Sequence, residues 1–340
     1  MDTKEIAKIL EKEPAFRLKQ IKKAVFGDLI ESWAEATTLS LELRQKLESI
    51  SPIYELTLEK QLISKDGQAT KILLSAQDDS KIEAVLMRHG STNSPLTGRS
   101  TVCISSQVGC SLGCQFCATG QLGFKRNLSD WEMVEQVLFF AKILKKEAKR
   151  VDNVVFMGMG EPFLNYENVL SAVKMINDQD GLNLGARHIS ISTCGIVEGI
   201  KKFTDEDLQV NLAISLHAAN NTLRSKLVPL NKKYPIEAIL TAVDDYITKT
   251  RRRVMFEYLM IAGINDSEKD ARDLIKLLKR PLCFVNLISY NPIGHSDFKP
   301  SSGDRVKNFR EILEKSGITV TQRHEFGKEI KGACGQLAGK

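Results

Sequence analysis

Along the chain the apolar residues change period twice. Over residues 1–50 they recur at helical intervals, as Ile6, Ile9 and Leu10, then Phe16, Ile21, Val25 and Phe26, then Leu39, Leu43 and Leu47. Three short helices are expected there. Arg17, Lys19, Lys22 and Lys23 interleave with the second stripe, either as a solvated face or as a surface that meets phosphates. Residues 52–90 switch to alternation: Tyr54, Leu56 and Leu58 alternate, Asp66-Gly67 marks a hairpin turn, and 72–74 and 82–86 read as further strands. A polar loop over 90–98 follows.

From Ser100 onward strand and helix patterns alternate. Strands are predicted at 100–106, 154–157, 188–192, 210–216, 254–260 and 284–289. The helix after the first opens on a capping box, Ser129-Asp130-Trp131-Glu132, and continues through Val134, Val137, Leu138 and Ala141. Further helices are predicted at 167–177, from 197, at 236–247 after a basic loop, and at 268–278 and 304–315. A last strand at 318–321 leads into a glycine-rich tail. Six strand–helix units imply a parallel sheet with right-handed crossovers, too few to close an eight-fold barrel. The expected class is α/β, an open (β/α)6 partial barrel over 100–320. A helical accessory domain (1–50), a β-rich linker (51–99) and a C-terminal tail (321–340) complete the organisation.

Composition adds little beyond this. Apolar content of 42% and charged content of 26% suit a soluble globular protein, and 340 residues suit a barrel plus a smaller part. There is no apolar run of about 18 residues, and Met1-Asp2-Thr3-Lys4-Glu5 does not read as a signal peptide. A cytoplasmic protein with reduced thiols is expected. The net charge of +6 favours a polyanionic partner without requiring one.

The cysteines change the picture. Four of the seven lie in the fifteen residues from Cys103 to Cys117, and Cys110, Cys114 and Cys117 are spaced C-x3-C-x2-C. Gly109 and Gly113 give the loop its backbone freedom. A zinc knuckle needs a fourth nearby Cys or His, and none follows Cys117 closely; a disulfide framework does not suit a reducing compartment. Three thiolates suit a four-iron cluster with one iron left open. That open iron is what reductive cleavage of S-adenosylmethionine requires, since it can chelate the methionine amine and carboxylate.

Parallel sheets bind ligands at the carboxyl ends of their strands. There the chain places Gly158, Gly160 and Glu161, then Ser192, Cys194, Ser215, Leu216, His217, Glu257 and Asn291. The glycines allow close backbone approach, and Ser192, Ser215 and Asn291 offer neutral hydrogen bonds for a ribose and a carboxylate. His217 reads either as a ligand contact or as a packed strand-end histidine. Cys194 and Cys283 read as small buried hydrophobes. Cys334, between glycines near the chain end, reads as a reactive thiol on a mobile tail, with Cys103 as the natural second thiol.

These residues resemble a known family, the radical S-adenosylmethionine RNA adenine methyltransferases. Its C2-methylating branch is called RlmN and its C8-methylating branch Cfr. The resemblance spans nearly the whole chain on CISSQVGCSLGCQFCATG, FMGMGEP, ISISTCG, AISLHAANN, LVPLNKKYP, NLISYNP and ACGQLAG. It implies that Cys110, Cys114 and Cys117 hold a [4Fe–4S] cluster. It implies that Gly160, Glu161, Ser192, Ser215, Leu216, His217 and Asn291 contact S-adenosylmethionine, two molecules of which serve each turnover. It makes Cys334 the methyl carrier, Cys103 the thiol that releases product, and Glu83, in Lys81-Ile82-Glu83-Ala84-Val85, the proton acceptor. The implied substrates are adenine 2503 in the peptidyl-transferase region of 23S rRNA and adenine 37 of some tRNAs. A flavodoxin- or ferredoxin-type electron donor, a monomer and no membrane partner are implied as well. Val108 and Glu257-Tyr258 side with the C2 branch over the C8 branch, while Lys328, Lys331 and Gly332 depart from the family's usual tail. A non-catalytic metal-bound RNA-binding protein is the alternative from another class, and it has no use for Cys103 or Cys334.

Overall fold

Three short helices come first: α1 (Thr3–Leu10), α2 (Phe16–Lys22), which runs on through a π-helical turn at Lys23–Asp28, and α3 (Leu41–Ile50). In the computed structural model, which describes residues 1, 3–11, 13–90, 98–294, 296–323 and 326–339, their apolar stripes turn inward. Ile6, Ile9, Ile21, Val25, Leu39, Leu43 and Leu47 are buried in the same continuous core as the barrel, with no separate core of their own. Phe26 meets Trp131 edge-on at 5.9 Å. Phe16 departs from its stripe: it is 54% exposed, with the Arg17 guanidinium 5.0 Å over its ring.

Tyr54 and Leu56 do not begin a strand. The Glu55 and Leu56 amides instead donate to the buried Glu135 carboxylate, at 2.8 Å each. Extended structure starts with β1 (Thr57–Ile63), β2 (Ala69–Ser75) and β3 (Lys81–Arg88), an antiparallel meander. Its first turn is at Asp66-Gly67, where Gly67 has φ +69° and Asp66 Oδ1 accepts from the Gln68 amide at 2.9 Å. Next, β3 pairs antiparallel with β4 (Ser100–Ile104). The segment expected to be a linker therefore adds three strands to the barrel's own sheet. The polar loop at 91–97 lies outside the described residues.

After β4 a small antiparallel ribbon, β5 (Gln107–Gly109) with β6 (Phe124–Asn127), flanks the cysteine loop. Then come α4 (Asp130–Lys146), β7 (Asn153–Phe156), α5 (Tyr166–Asn177), β8 (Ile189–Thr193), α6 (Val197–Thr204) and β9 (Asn211–Ser215). The chain continues as α7 (Asn221–Leu227), α8 (Ile236–Thr250), β10 (Val254–Met260), α9 (Glu268–Leu278), β11 (Cys283–Ser289), α10 (Gly303–Lys315) and β12 (Thr319–Gln322). The predicted capping box holds: Ser129 Oγ accepts from the Glu132 amide (3.0 Å) and Glu132 Oε2 from the Ser129 amide (2.8 Å).

The ten-stranded sheet runs β1-β2-β3-β4-β7-β8-β9-β10-β11-β12, parallel from β4 to β12. Helices cover the parallel strands and leave their carboxyl ends facing a common space. No helix among the described residues is long and apolar enough to cross a membrane.

Candidate active site

The carboxyl ends of the parallel strands surround one cavity of about 1370 Å³, open mouth included. Cys103, Cys110, Cys114, Cys117, Gly160, Glu161, Ser192, Ser215, His217, Asn291 and Cys334 all line it. Leu216 and Glu83 do not.

The cysteine loop owes its shape to two glycines in the left-handed region, Gly109 (φ +73°) and Gly113 (φ +63°). A side chain at Gly109 would collide with the Gly123 carbonyl across the ribbon. Burial pushes the Cys110 thiol up to about 12 and raises that of Cys117 as well. Against burial, the Leu112 amide faces Cys110, and the Gly120 amide with the Thr119 hydroxyl and amide faces Cys117. Donors aimed at sulfur suit thiolates that bind a positively charged group. Among the described residues no three Cys, His, Asp or Glu side chains are close enough to share one ion. The three cysteines instead border one cavity, which fits a cluster wider than a single metal. Cys194 is not a remote hydrophobe: it lines the same cavity, and its thiol is hydrogen-bonded to that of Cys114.

Around this loop the polar groups are held by a second set of residues. Glu257, 4% exposed in the middle of β10, accepts from Ser192 Oγ at 2.6 Å and from Ser215 Oγ at 3.1 Å. Both hydroxyl protons are thereby committed, and their oxygen lone pairs remain for a ligand. The Asn291 Oδ1 is buried with no hydrogen-bond partner, while its Nδ2 donates to the Ser289 and Cys334 carbonyls at 3.4 and 3.3 Å. An orphaned acceptor on a cavity wall is what an absent donor leaves behind. His217 has φ +61°, a rare conformation for a residue with a Cβ. Its Nδ1 accepts from the Leu259 amide at 3.2 Å, and burial, then Arg224, lowers the imidazole to about 3. The ring is neutral, with Nε2–H as its remaining donor.

Two expectations shift here. Gly158 and Gly160 make close approaches to the protein itself. A Cβ at Gly158 would lie 2.7 Å from the Ile104 carbonyl, and one at Gly160 2.6 Å from the Gln107 side chain. Arg224, one of the cations in the basic stretch ahead of the 236–247 helix, lies in α7 and is fully buried. Its guanidinium donates to the carbonyls of Leu216 (3.1 Å), Cys194 (2.6 Å) and Ser215 (3.2 Å). Leu216 thus offers a ligand neither its side chain, which is buried, nor a free carbonyl. Removing Arg224 takes a donor from three carbonyls beneath the site, of which Leu216 keeps the Ala218 amide (2.8 Å). Arg224→Ala is expected to destabilise the fold by about 3 kcal/mol or more in urea unfolding.

Cys103, on β4 between Val85 and Val155 of the neighbouring strands, faces the cavity opposite the tail. Burial, then Cys334, pushes its thiol up to about 12, and Arg323 opposes this. Burial also raises Cys334, again against Arg323. Arg323 carries no signal in the sequence, standing just past β12. Its Nη1 lies 3.5 Å from Met157 Sδ and 3.9 Å from Glu257 Oε1, and Cys334 is the strongest influence keeping it charged. Arg323→Met is expected to slow iodoacetamide labelling of Cys334 at fixed pH by about 10-fold, as a tenfold smaller thiolate fraction would. Mass spectrometry of the labelled peptide reads this out, and an unchanged rate would show that the guanidinium does not reach the thiol.

Cys334 does not ride on a free tail. The Cys334 carbonyl accepts from Asn291, the Gly335 carbonyl from the Ala118 amide (2.7 Å), and the Leu337 carbonyl from Thr119 Oγ1 (2.6 Å). Glu83, placed among the site residues by resemblance, sits outside the cavity wall. Its Oε1 is paired with Lys71 Nζ (2.6 Å), and its Oε2 accepts from the Ala338 and Gly339 amides (2.7 and 3.2 Å).

Comparison with known proteins agrees with this geometry. Residues 104–275 match the radical SAM superfamily. A probable dual-specificity RNA methyltransferase RlmN of Dictyoglomus turgidum is 43% identical over 326 residues, 96% of this chain and 91% of that one. A ribosomal RNA large subunit methyltransferase N of Nitrosopumilus maritimus is 49% identical over 276 residues, 81% of this chain and 78% of that one. The crystal structure of a radical SAM methyltransferase from Sphaerobacter thermophilus superposes with a TM-score of 0.94 at 41% identity, covering 99% of this chain and 97% of that one. At these identities and over these shares of each chain, the protein belongs to the radical SAM superfamily and, within it, to the RlmN-type RNA methyltransferases.

Proposed function

We propose that this methyltransferase places a methyl group on C2 of an adenine in 23S rRNA, at position 2503, and on adenine 37 of some tRNAs, with Cys334 as carrier and Cys103 as releasing thiol. The observation that carries the reading is the meeting of Cys103 and Cys334 on a cavity that also holds the three-cysteine loop. The names of the two relatives support RNA as the substrate class, one being called a dual-specificity RNA methyltransferase and the other a ribosomal RNA large subunit methyltransferase.

Adenine C2 is electron-poor and cannot attack a methyl sulfonium as an amine would, so the methyl group has to travel by way of protein sulfur. Cys334 takes it from one S-adenosylmethionine by displacement at sulfur. Cys110, Cys114 and Cys117 would hold a [4Fe–4S] cluster, which would supply the electron for reductive cleavage of a second S-adenosylmethionine and so the radical chemistry that takes a hydrogen atom from that methyl group. Ser192, Ser215, His217 Nε2, Asn291 Oδ1 and the Gly160-Glu161 backbone are the groups proposed to hold the second molecule. After the Cys334 methylene adds to C2, the adduct would return one electron to the cluster. It would lose its C2 proton to a base, the role the resemblance gives Glu83, and the Cys103 sulfur then attacks the Cys334 sulfur. The Cys334 S–CH2 bond breaks with its electron pair on carbon, which takes up a proton, and a disulfide remains. An adenine presented this way must be unstacked from its RNA. A flavodoxin- or ferredoxin-type donor, a monomeric enzyme and a cytoplasmic site of action complete the reading.

Mass spectrometry of 23S rRNA and tRNA from a strain lacking the protein tests it. Loss of 2-methyladenosine is the expected result; loss of 8-methyladenosine would assign the C8 reaction instead. RNA binding gives a separate expectation. Lys226, Lys232 and Lys233 are exposed, as is Lys23, whereas Lys22 is paired with Asp178. Neutralising the four exposed lysines is expected to lower the slope of log affinity against log salt by roughly 0.7–0.9 for each phosphate they had neutralised. A filter-binding series in KCl measures this, and an unchanged slope would make them a solvated face.

A further inference from the structure

Glu257 interrupts an apolar strand, β10, with a side chain only 6% exposed. A buried acid costs free energy unless its oxygens are engaged. Both oxygens of Glu257 are, and they serve different halves of the cavity. Oε2 accepts from Ser192 Oγ on β8 (2.6 Å) and from Ser215 Oγ on β9 (3.1 Å), and the two hydroxyl oxygens are themselves 3.1 Å apart. A single acceptor thus orients two hydroxyls from two strands. Oε1 lies 3.9 Å from Arg323 Nη1, beyond a hydrogen bond yet close enough for strong attraction in a site shielded from water. Arg323 otherwise meets the Met157 and Met87 sulfurs, at 3.5 and 4.0 Å, and the titratable groups that act on it are Cys334, Glu257 and Cys103. Glu257 is therefore the carboxylate that offsets Arg323 beside both thiols. Its place along the strand is fixed as well, because its own carbonyl accepts from the Leu216 and His217 amides, at 3.1 and 3.2 Å.

We propose that Glu257 is a positioning residue for the methyl transfer: one oxygen holds the Ser192 and Ser215 hydroxyls with their lone pairs toward S-adenosylmethionine, and the other balances Arg323 where it faces Cys103 and Cys334. This deepens the reading of the cavity as an S-adenosylmethionine site with Cys334 as carrier, and rests on it. The two duties are separable by substitution. Met fills much the same space but accepts nothing and carries no charge. Gln keeps an acceptor for the hydroxyls without the charge that offsets Arg323. A carboxylate does both from one position.

Two measurements on cluster-loaded enzyme with Cys334 unmethylated test this. Equilibrium dialysis without reductant gives the affinity for S-adenosylmethionine, and iodoacetamide labelling of the Cys334 peptide at fixed pH gives its thiolate fraction. Glu257→Met is expected to bind S-adenosylmethionine about 10-fold more weakly and to label about 10-fold faster, with iron content unchanged. Glu257→Gln should recover most of the affinity while keeping the fast labelling. In an Arg323→Met background the gain in labelling should mostly disappear, because no charge is left to release, whereas loosened packing would preserve it. A gain that persists undiminished there, or labelling of Glu257→Gln at the wild-type rate, overturns the balancing of Arg323. Unchanged affinity in Glu257→Met overturns the holding of the hydroxyls. Should Glu257→Met fail to fold, Glu257→Gln decides alone, and wild-type labelling in it overturns the proposal. An unaltered enzyme that binds no S-adenosylmethionine, or RNA methylation surviving in Cys334→Ala, would refute the underlying reading while leaving the labelling results standing.

Discussion

Cys103→Ala enzyme purified from cells and treated with ribonuclease is expected to carry a nucleotide on the Cys334 peptide, while Cys334→Ala enzyme carries none. RNA methylation should fall to background in both. Different outcomes are expected for the two thiols because the fold holds them differently. Cys103 is fixed on β4, 7% exposed and hemmed in by Val85 and Val155. Cys334 sits in a turn of a docked segment tied through side chains and amides of other elements. A thioether joining Cys334 to C2 does not hydrolyse, so without the Cys103 sulfur the methylene has no way off the protein. Burial raises both thiols, and the charge of Arg323 opposes this at each. Normal turnover by Cys103→Ala, or a folded, iron-loaded sample without adduct, would remove Cys103 from the reaction.

The other large effect belongs to the cysteine loop. Cys110→Ala, Cys114→Ala and Cys117→Ala are each expected to abolish the iron–sulfur absorption and the cleavage of S-adenosylmethionine, because two thiolates cannot hold a four-iron cluster open at one iron. Cys283→Ala, at the opposite end of β11 from the cavity, should alter neither. Cys194→Ala is the more informative control. Its thiol touches Cys114, so retained iron with full cleavage would show it to be a neighbour and not a ligand. Iron determination and assay of 5′-deoxyadenosine after anaerobic reconstitution measure these outcomes. A variant lacking all three loop cysteines yet retaining stoichiometric iron and cleavage would sink the assignment.

The strand–helix alternation after Ser100 was readable because each strand is an apolar run bounded by glycine or polar residues, and each long helix carries its own start signal. The wall of the cavity was readable for a related reason: short polar residues at the carboxyl ends of parallel strands have few structural uses. Contacts remote in sequence left no such trace. Tyr54 and Leu56 alternate like strand residues, yet Glu135, on α4, takes the amides that a strand would have paired. Arg224 reads as a surface charge because nothing nearby reveals the Cys194, Ser215 and Leu216 carbonyls that gather around it. Glu257 was visible as a charge within an apolar strand, whereas Arg323, the countercharge for both thiols, follows β12 without any pattern to mark it. The meander β1–β3 alternates like an independent hairpin, and only its pairing with β4 makes it part of the barrel.

That pairing has a consequence for how the enzyme comes into being. The hydrogen bond between Glu83 and the Gly339 amide joins residues 256 positions apart, so it forms only after every parallel strand between them has been made. Gly339 follows the end of β12 by 17 residues, about 1–3 s of synthesis at roughly 5–20 residues per second. During that interval the barrel can assemble with its cavity uncovered and without Cys334. A chain cut before Cys334 is therefore expected to keep its barrel yet, on the proposed reading, to transfer no methyl group.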